Sequence, residues 1–249
     1  MASWCERVIE RAGPACVAVK PQLACFERLG APGWTALARA VAAARAAGLL
    51  VLADGKRGDV PVSAAAYAQG LLGATPSPWG EIAGLEADAA TVSGFLGRDS
   101  LEPLVDAAAA RAAGLFVLVR TSNPGAADVL DLDAGGRPLY ERLAELVASL
   151  APRLRGRSGI SGIGAVVGAT EPRHVARLRE LMPQSVFLLP GVGAQGGDAG
   201  ELGAAFASHR AGGLVAASRA IAGAADPGAA AEALRERVWE VACAAGSSG

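Results

Sequence analysis

The chain has 249 residues, 52% of them apolar and 19% charged, with a net charge of −1. That is length and apolar content enough for one barrel-sized core, and the balanced charge excludes the basic footprint of a nucleic-acid binder or a protein held to an anionic membrane. No apolar run is long enough to span a bilayer, the first residues mix acidic and basic side chains unlike a secretory signal, and Cys5, Cys16, Cys25 and Cys243 lack any CxxC spacing, so reduced thiols in a cytoplasmic protein are expected.

The predicted elements alternate along the whole chain. Residues 3–12 read as a helix with Ser3 as its cap, and Gly13-Pro14 ends it. ACVAVK, 15–20, has strand length; residues 33–48 form a helix on the spacing of Leu37, Val41 and Ala44. LLVLAD, 49–54, is the second strand, followed by a helix over 63–73 capped by Ser63 and a loop over 74–80. Next come a strand over 89–94, a helix capped by Asp99 and running to Ala113, and the strand GLFVLVRTS. A loop over 123–137 leads to a helix from 138 to about 154. Strands over 163–170, 186–191 and 212–219 then alternate with a helix opening at Glu171-Pro172 and one opened by Asp198. The last helix covers 228–245, and 246–249 read as a frayed tail.

Seven short strands, each followed by a helix and apolar on both faces, imply parallel pairing through helical crossovers. A doubly wound sheet would satisfy that alternation too, but it concentrates its ligand at one switch point. Here polar residues follow nearly every strand: Lys20, Asp54 and Lys56, Ser93, Ser122 and Asn123, Thr170, Gln195, Ser218 and Arg219. That pattern favours a single (β/α)8 barrel over 1–249 with its active site at the strand ends, seven of the eight strands being visible.

DGKRGDV, 54–60, is the strongest chemical signal. Lys20 and Lys56 are the only lysines, and both end strand-like runs, whereas arginine supplies the solvating cations. A lysine flanked by the carboxylates Asp54 and Asp59 is held as an ammonium and is a ready proton donor; the competing reading is a solvated, salt-bridged turn. LLPGVGAQGGD, 188–198, is a Gly-rich loop before a helix start, suited to an anion, with Gln195 free to bond a base edge or phosphate. Arg219 beside Ser218 offers a fork to a phosphate in the barrel position where phosphate sites occur. Ser122 and Asn123 can bond a polar ring edge or the backbone of their own turn. His174 and His209 are expected at the surface, and no group of His, Cys and carboxylates has metal-ligand spacing.

These segments together resemble the orotidine 5′-phosphate decarboxylase family, in its longer-chain bacterial subgroup. VKPQ at 19–22, LADGKRGDV at 52–60, GFLGRDSLEPL at 94–104, TSNPGA at 121–126, VVGAT at 166–170, LPGVGAQGGD at 189–198 and SRAI at 218–221 carry the resemblance in order. It implies a homodimeric (β/α)8 barrel that converts orotidine 5′-monophosphate to UMP and CO2 without metal or organic cofactor. By resemblance Lys20 bonds the ribose and the neighbouring carboxylate, Asp54 faces the substrate carboxylate, and Lys56 protonates C6. Asp59, with Val60 and Ser63 beside it, serves the partner subunit's site. Ser122 meets the pyrimidine edge, Pro190 and Gln195 close over base and phosphate, and Arg219 with the Ser218 backbone clamps the phosphate. Gly55 stands where the family has a small non-Gly residue, which implies a looser backbone. The family's first strand ends in a ribose-binding aspartate that is unmatched here, where a helix opens the chain. That departure keeps an inactive phosphate-binding barrel open as an alternative, and the wider D-x-K-x-x-D group keeps open a sugar-phosphate lyase.

Overall fold

A computed structural model describes residues 1–246. The chain falls into two compact units, Met1–Gly114 with Ile221–Ala233, and Leu115–Ala220 with the chain from Leu234 onward. The last three positions of the expected tail lie outside the described residues, and the final helix runs Pro227–Gly246.

The first unit opens with the helix Ala2–Ala12. Three parallel strands follow in the order β1 (Ala18–Val19), β2 (Leu50–Arg57) and, after an antiparallel hairpin of β3 (Ala74–Ser77) and β4 (Gly80–Ala83), β5 (Ala89–Val92). The crossover from β1 to β2 uses the short helix Leu23–Glu27 and the helix Ala31–Ala46. The second of these ends because Gly48 adopts φ +74°, so that the Leu49 N–H reaches back to the Ala44 carbonyl and the Gly48 N–H to that of Arg45. Its buried stripe, Ala36, Leu37, Ala40, Val41 and Ala44, keeps helical spacing. The helices Pro61–Leu72 and Arg98–Arg111 pack together, and Ala64, Ala68 and Ala108 on them are buried.

The second unit holds four parallel strands in sequence order, β6 (Gly114–Arg120), β7 (Ser161–Val167), β8 (Ser185–Pro190) and β9 (Gly213–Ala216). The helices Leu139–Leu150 and Pro172–Leu181 form its longer crossovers. Arg179 ties this unit together without a carboxylate. Its guanidinium donates to the carbonyls of Met182, Ser185, Ala205 and Gly212 and lies 3.8 Å over the Phe187 ring. Seven parallel strands among the described residues, with helices in the connections between them, give the α/β architecture of the (β/α) barrel class that the alternation predicts.

Several local expectations need correction. Residues 74–80 belong to the β3–β4 hairpin, where the Ser77 hydroxyl bonds the Gly80 carbonyl across the turn. Ser3, Ser63 and Asp99 are not N-caps: those helices begin at Ala2, Pro61 and Arg98, behind Met1, Val60 and Gly97. Proline at the first helical position of Pro61–Leu72 presets the backbone there, so no side-chain cap is needed. Asp198 does cap, accepting from the Gly200 N–H, but what it opens is a single 3-10 turn. The segment 123–137 contains the short helix Ala127–Leu130. His174 is buried, not at the surface: its ring packs 5.1 Å from that of Tyr140, and burial together with the nearby Arg120 charge holds it below the ordinary imidazole value.

Candidate active site

The C-terminal end of β2 is irregular, and the candidate residues Asp54 and Lys56 sit in the irregularity. Ala53 pairs with Ala90 and Arg57 with Val92, so Asp54, Gly55 and Lys56 stand against the single residue Thr91. The bulge turns Lys56 to φ +49°, a left-handed conformation that is uncommon for a residue with a side chain. Strain of this kind costs on the order of 1–3 kcal/mol and persists only where the surroundings hold it.

They hold it through Asp54, which is 5% exposed. Lys20, one residue past β1, places Nζ 2.5 Å from Asp54 Oδ2; Lys56 places Nζ 2.5 Å from Oδ1. Thr91 donates from Oγ1 to the same Oδ1 at 2.8 Å and accepts the Lys56 backbone N–H at 2.9 Å. Gln22 bridges to Asp54 through the backbone, and its Oε1 lies 3.5 Å from Lys56 Nζ. Burial by itself would raise the Asp54 carboxyl, but the Lys20 and Lys56 charges outweigh it and hold the group below its ordinary value. The expected arrangement, one lysine between two carboxylates, is therefore inverted: one carboxylate lies between two lysines.

Asp59 is not in that cluster. Its carboxylate accepts from the Val60 N–H next door, at the start of the helix that carries Ser63 in its first turn. Val60 is exposed and Ser63 partly so. Sequence reading missed Thr91. The available signal was a lone hydroxyl inside the apolar run AATV, buried at 1% exposure.

In the second unit the Ser122 hydroxyl donates to Gln195 Oε1 at 2.7 Å, joining the ends of β6 and β8. Ser122 is wedged there: a Cβ on Gly168 would come within 2.7 Å of its Cα, and one on Gly191 within 3.2 Å of its Cβ. The pair borders a cavity of about 530 Å³ lined also by Arg120, Asn123, Pro124, Thr170 and Glu171. Pro190 ends β8, and its carbonyl accepts the Ala169 N–H. The Gly-rich loop after it does not offer all its amides to an anion, because the N–H groups of Gly193, Gly196 and Gly197 bond within the loop. The helix start expected behind it is only the 3-10 turn Ala199–Glu201. What approaches that loop is the segment after β9: a Cβ on Gly193 would lie 3.3 Å from Ala220, the neighbour of the exposed Ser218 and Arg219.

The family model for the orotidine 5′-phosphate decarboxylase / HUMPS family matches residues 3–234. The chain belongs to that family. It is 45% identical over 221 residues to the orotidine 5′-phosphate decarboxylase of Rhodopirellula baltica, covering 88% of this chain and 71% of that protein. It is 47% identical over 215 residues to the Deinococcus radiodurans orotidine 5′-phosphate decarboxylase, with 86% and 74% covered. Among solved structures, Leishmania donovani OMP decarboxylase matches with a TM-score of 0.78 at 35% identity, covering 97% of this chain and 88% of that one. The orotidine 5′-monophosphate decarboxylase of Methanocaldococcus jannaschii matches with a TM-score of 0.73 at 22% identity, with 96% and 94% covered, a likeness of fold.

In this chain the D-x-K of β2 occupies the bulge: Asp54, Gly55 and Lys56 stand against one residue, and the two charged side chains converge. Gly55 has a reason in packing. The Leu23 methyl lies 2.8 Å from where its Cβ would stand, so Leu23 fills the space a side chain would take.

Proposed function

We propose that this chain decarboxylates orotidine 5′-monophosphate to UMP and CO2, as a carboxy-lyase of pyrimidine nucleotide synthesis. The observation that carries the reading is the pair of ammonium groups closing on the buried Asp54 at the end of β2. In this reading the substrate carboxylate lies against Asp54. Two like charges about 4 Å apart repel by roughly 4 kcal/mol at an effective dielectric near 20, and the repulsion is relieved as neutral CO2 leaves. The C6–carboxylate bond breaks with its electron pair left on C6. Lys56 Nζ stabilises that pair and transfers a proton to C6, becoming the neutral amine and regaining its proton from solvent. Lys20 holds Asp54 from the opposite oxygen and bonds the ribose. Ser122 and Gln195 bond the pyrimidine edge, Pro190 shapes the loop that closes with Gln195, and Arg219 with the Ser218 backbone takes the phosphate, whose binding energy that closure converts into positioning.

We further propose a homodimer in which Asp59, flanked by Val60 and Ser63, completes the partner's site. Support comes from its position: the carboxylate bonds Val60 within its own chain, and Asp54 alone takes the carboxylate role beside Lys56. A cytoplasmic setting fits Cys5, Cys16 and Cys25, which stand outside any disulfide, and none of the described helices is long and apolar enough to cross a membrane.

The test is incubation with orotidine 5′-monophosphate in the presence of a chelator. Equal amounts of UMP and CO2 are expected, at a rate the chelator leaves unchanged. Turnover that stops with chelation would favour a metal-dependent sugar-phosphate lyase of the same motif, and binding of UMP without turnover would favour an inactive barrel.

A further inference from the structure

Thr91 lies outside the residues to which the proposed reaction assigns a role, yet it touches both halves of the D-x-K bulge. A hydroxyl has one proton to donate and lone pairs to accept with. The Asp54 carboxylate can only accept, so the Thr91 proton must point at Oδ1, 2.8 Å away. That leaves a lone pair for the Lys56 N–H at 2.9 Å. The direction of both bonds is thus fixed by chemistry. At 1% exposure Thr91 has no water to take over either bond. The N–H it accepts belongs to the residue at φ +49°, the backbone position in the bulge that most needs holding. The γ-methyl of threonine and its β-branch restrict the side chain to few rotamers, which keeps Oγ1 aimed between its two partners.

We propose that Thr91 is a positioning residue for the decarboxylation: its hydroxyl locks the Asp54 carboxylate to the Lys56 backbone, and so sets where Lys56 Nζ stands. The proposal rests on the reading of Lys56 as proton donor and Asp54 as its carboxylate partner. Valine has the shape of threonine and neither bond; serine keeps both bonds and lacks the methyl.

The experiment compares Thr91→Val, Thr91→Ser and Thr91→Ala with the parent, using steady-state kinetics on orotidine 5′-monophosphate, competitive inhibition by UMP, and crystal structures of the variants. For Thr91→Val we expect kcat to fall roughly 10- to 100-fold, the scale of a misplaced reacting group, with KM and the UMP inhibition constant within about twofold of the parent. Thr91→Ser should stay within about threefold of the parent kcat, since both bonds survive. In the Thr91→Val crystal structure Lys56 should leave its positive φ or its Nζ should move away from Asp54 Oδ1. That structural readout holds even if the parent has no activity on this substrate, a result that would fail the functional reading alone. If Thr91→Val does not fold, Thr91→Ala takes its place with the same expectations. Parental kcat in a folded hydroxyl-free variant, an equal loss in Thr91→Ser, or an unmoved Lys56 would overturn the proposal.

Discussion

Leu23 and Gly55 share one space: the Leu23 Cδ1 methyl stands 2.8 Å from the place a Cβ on Gly55 would occupy, and Leu23 is fully buried. Gly55→Ala therefore overpacks the floor of the bulge. Overpacking costs about 1–3 kcal/mol, against roughly 0.4–1 kcal/mol gained from a stiffer unfolded chain. A net loss of about 1 kcal/mol is expected by chemical denaturation. Shortening the neighbour by Leu23→Val should recover much of it, so a double-mutant cycle should show coupling of roughly 0.5–1.5 kcal/mol. Additive effects would mean that the two side chains do not compete.

Lys56→Ala removes the proposed acid while leaving the residues assigned to ring and phosphate in place. Decarboxylation should drop by at least the roughly 10²–10⁴-fold typical of general acid catalysis, with UMP affinity little changed. Activity near the parent level would exclude Lys56 as the donor.

Arg219 is exposed at the first residue of the short helix Arg219–Ala222 and is assigned to the phosphate. Arg219→Ala should mainly raise KM, by about 10- to 150-fold, the equivalent of the roughly 1.5–3 kcal/mol carried by a charge-assisted bond. The measurement is saturation kinetics on each protein, and an unchanged KM would place the phosphate elsewhere.

The Asp54 carboxyl is held below its ordinary value, so its contribution to stability is present above the unfolded value and is lost as pH falls through the folded one. The stability difference between the parent and Asp54→Asn should thus be constant at neutral pH and shrink on acidification below about pH 4, near the unfolded carboxylate value. Thermal denaturation of both proteins between neutral and acid pH checks it. A difference that grows toward acid would contradict the assignment.

Asp59 gives a test of assembly. Lys56→Ala and Asp59→Ala proteins, each nearly inactive, should regain activity when mixed, because a mixed dimer carries one site with both defects and one with neither. Random pairing at equal amounts makes about half of the dimers mixed, hence about a quarter of the parent activity. If subunits exchange and no activity returns, Asp59 acts within its own chain.

The sequence by itself determined the alternation of seven strands with helices, because short continuous apolar runs bounded by Gly, Pro or charge, and helices with a stripe at about 3.6-residue spacing, are local signals that do not depend on their neighbours. It also singled out 54–56 as the candidate site, because the chain's two lysines stand at strand ends while arginine supplies its other basic side chains. Helix starts were less legible: Ser3, Ser63 and Asp99 have cap chemistry, but a proline at the first helical position or a glycine before it can set the boundary instead. Tertiary structure alone decided which charges meet. Asp54 and Asp59 flank Lys56 at two and three residues, yet the bulge in β2 brings only Asp54 onto it, and Lys20 arrives from the end of another strand. Thr91 and Leu23 come from segments more than thirty residues distant from the bulge, and their parts in it follow from strand register and close packing, which no local pattern of residue types encodes.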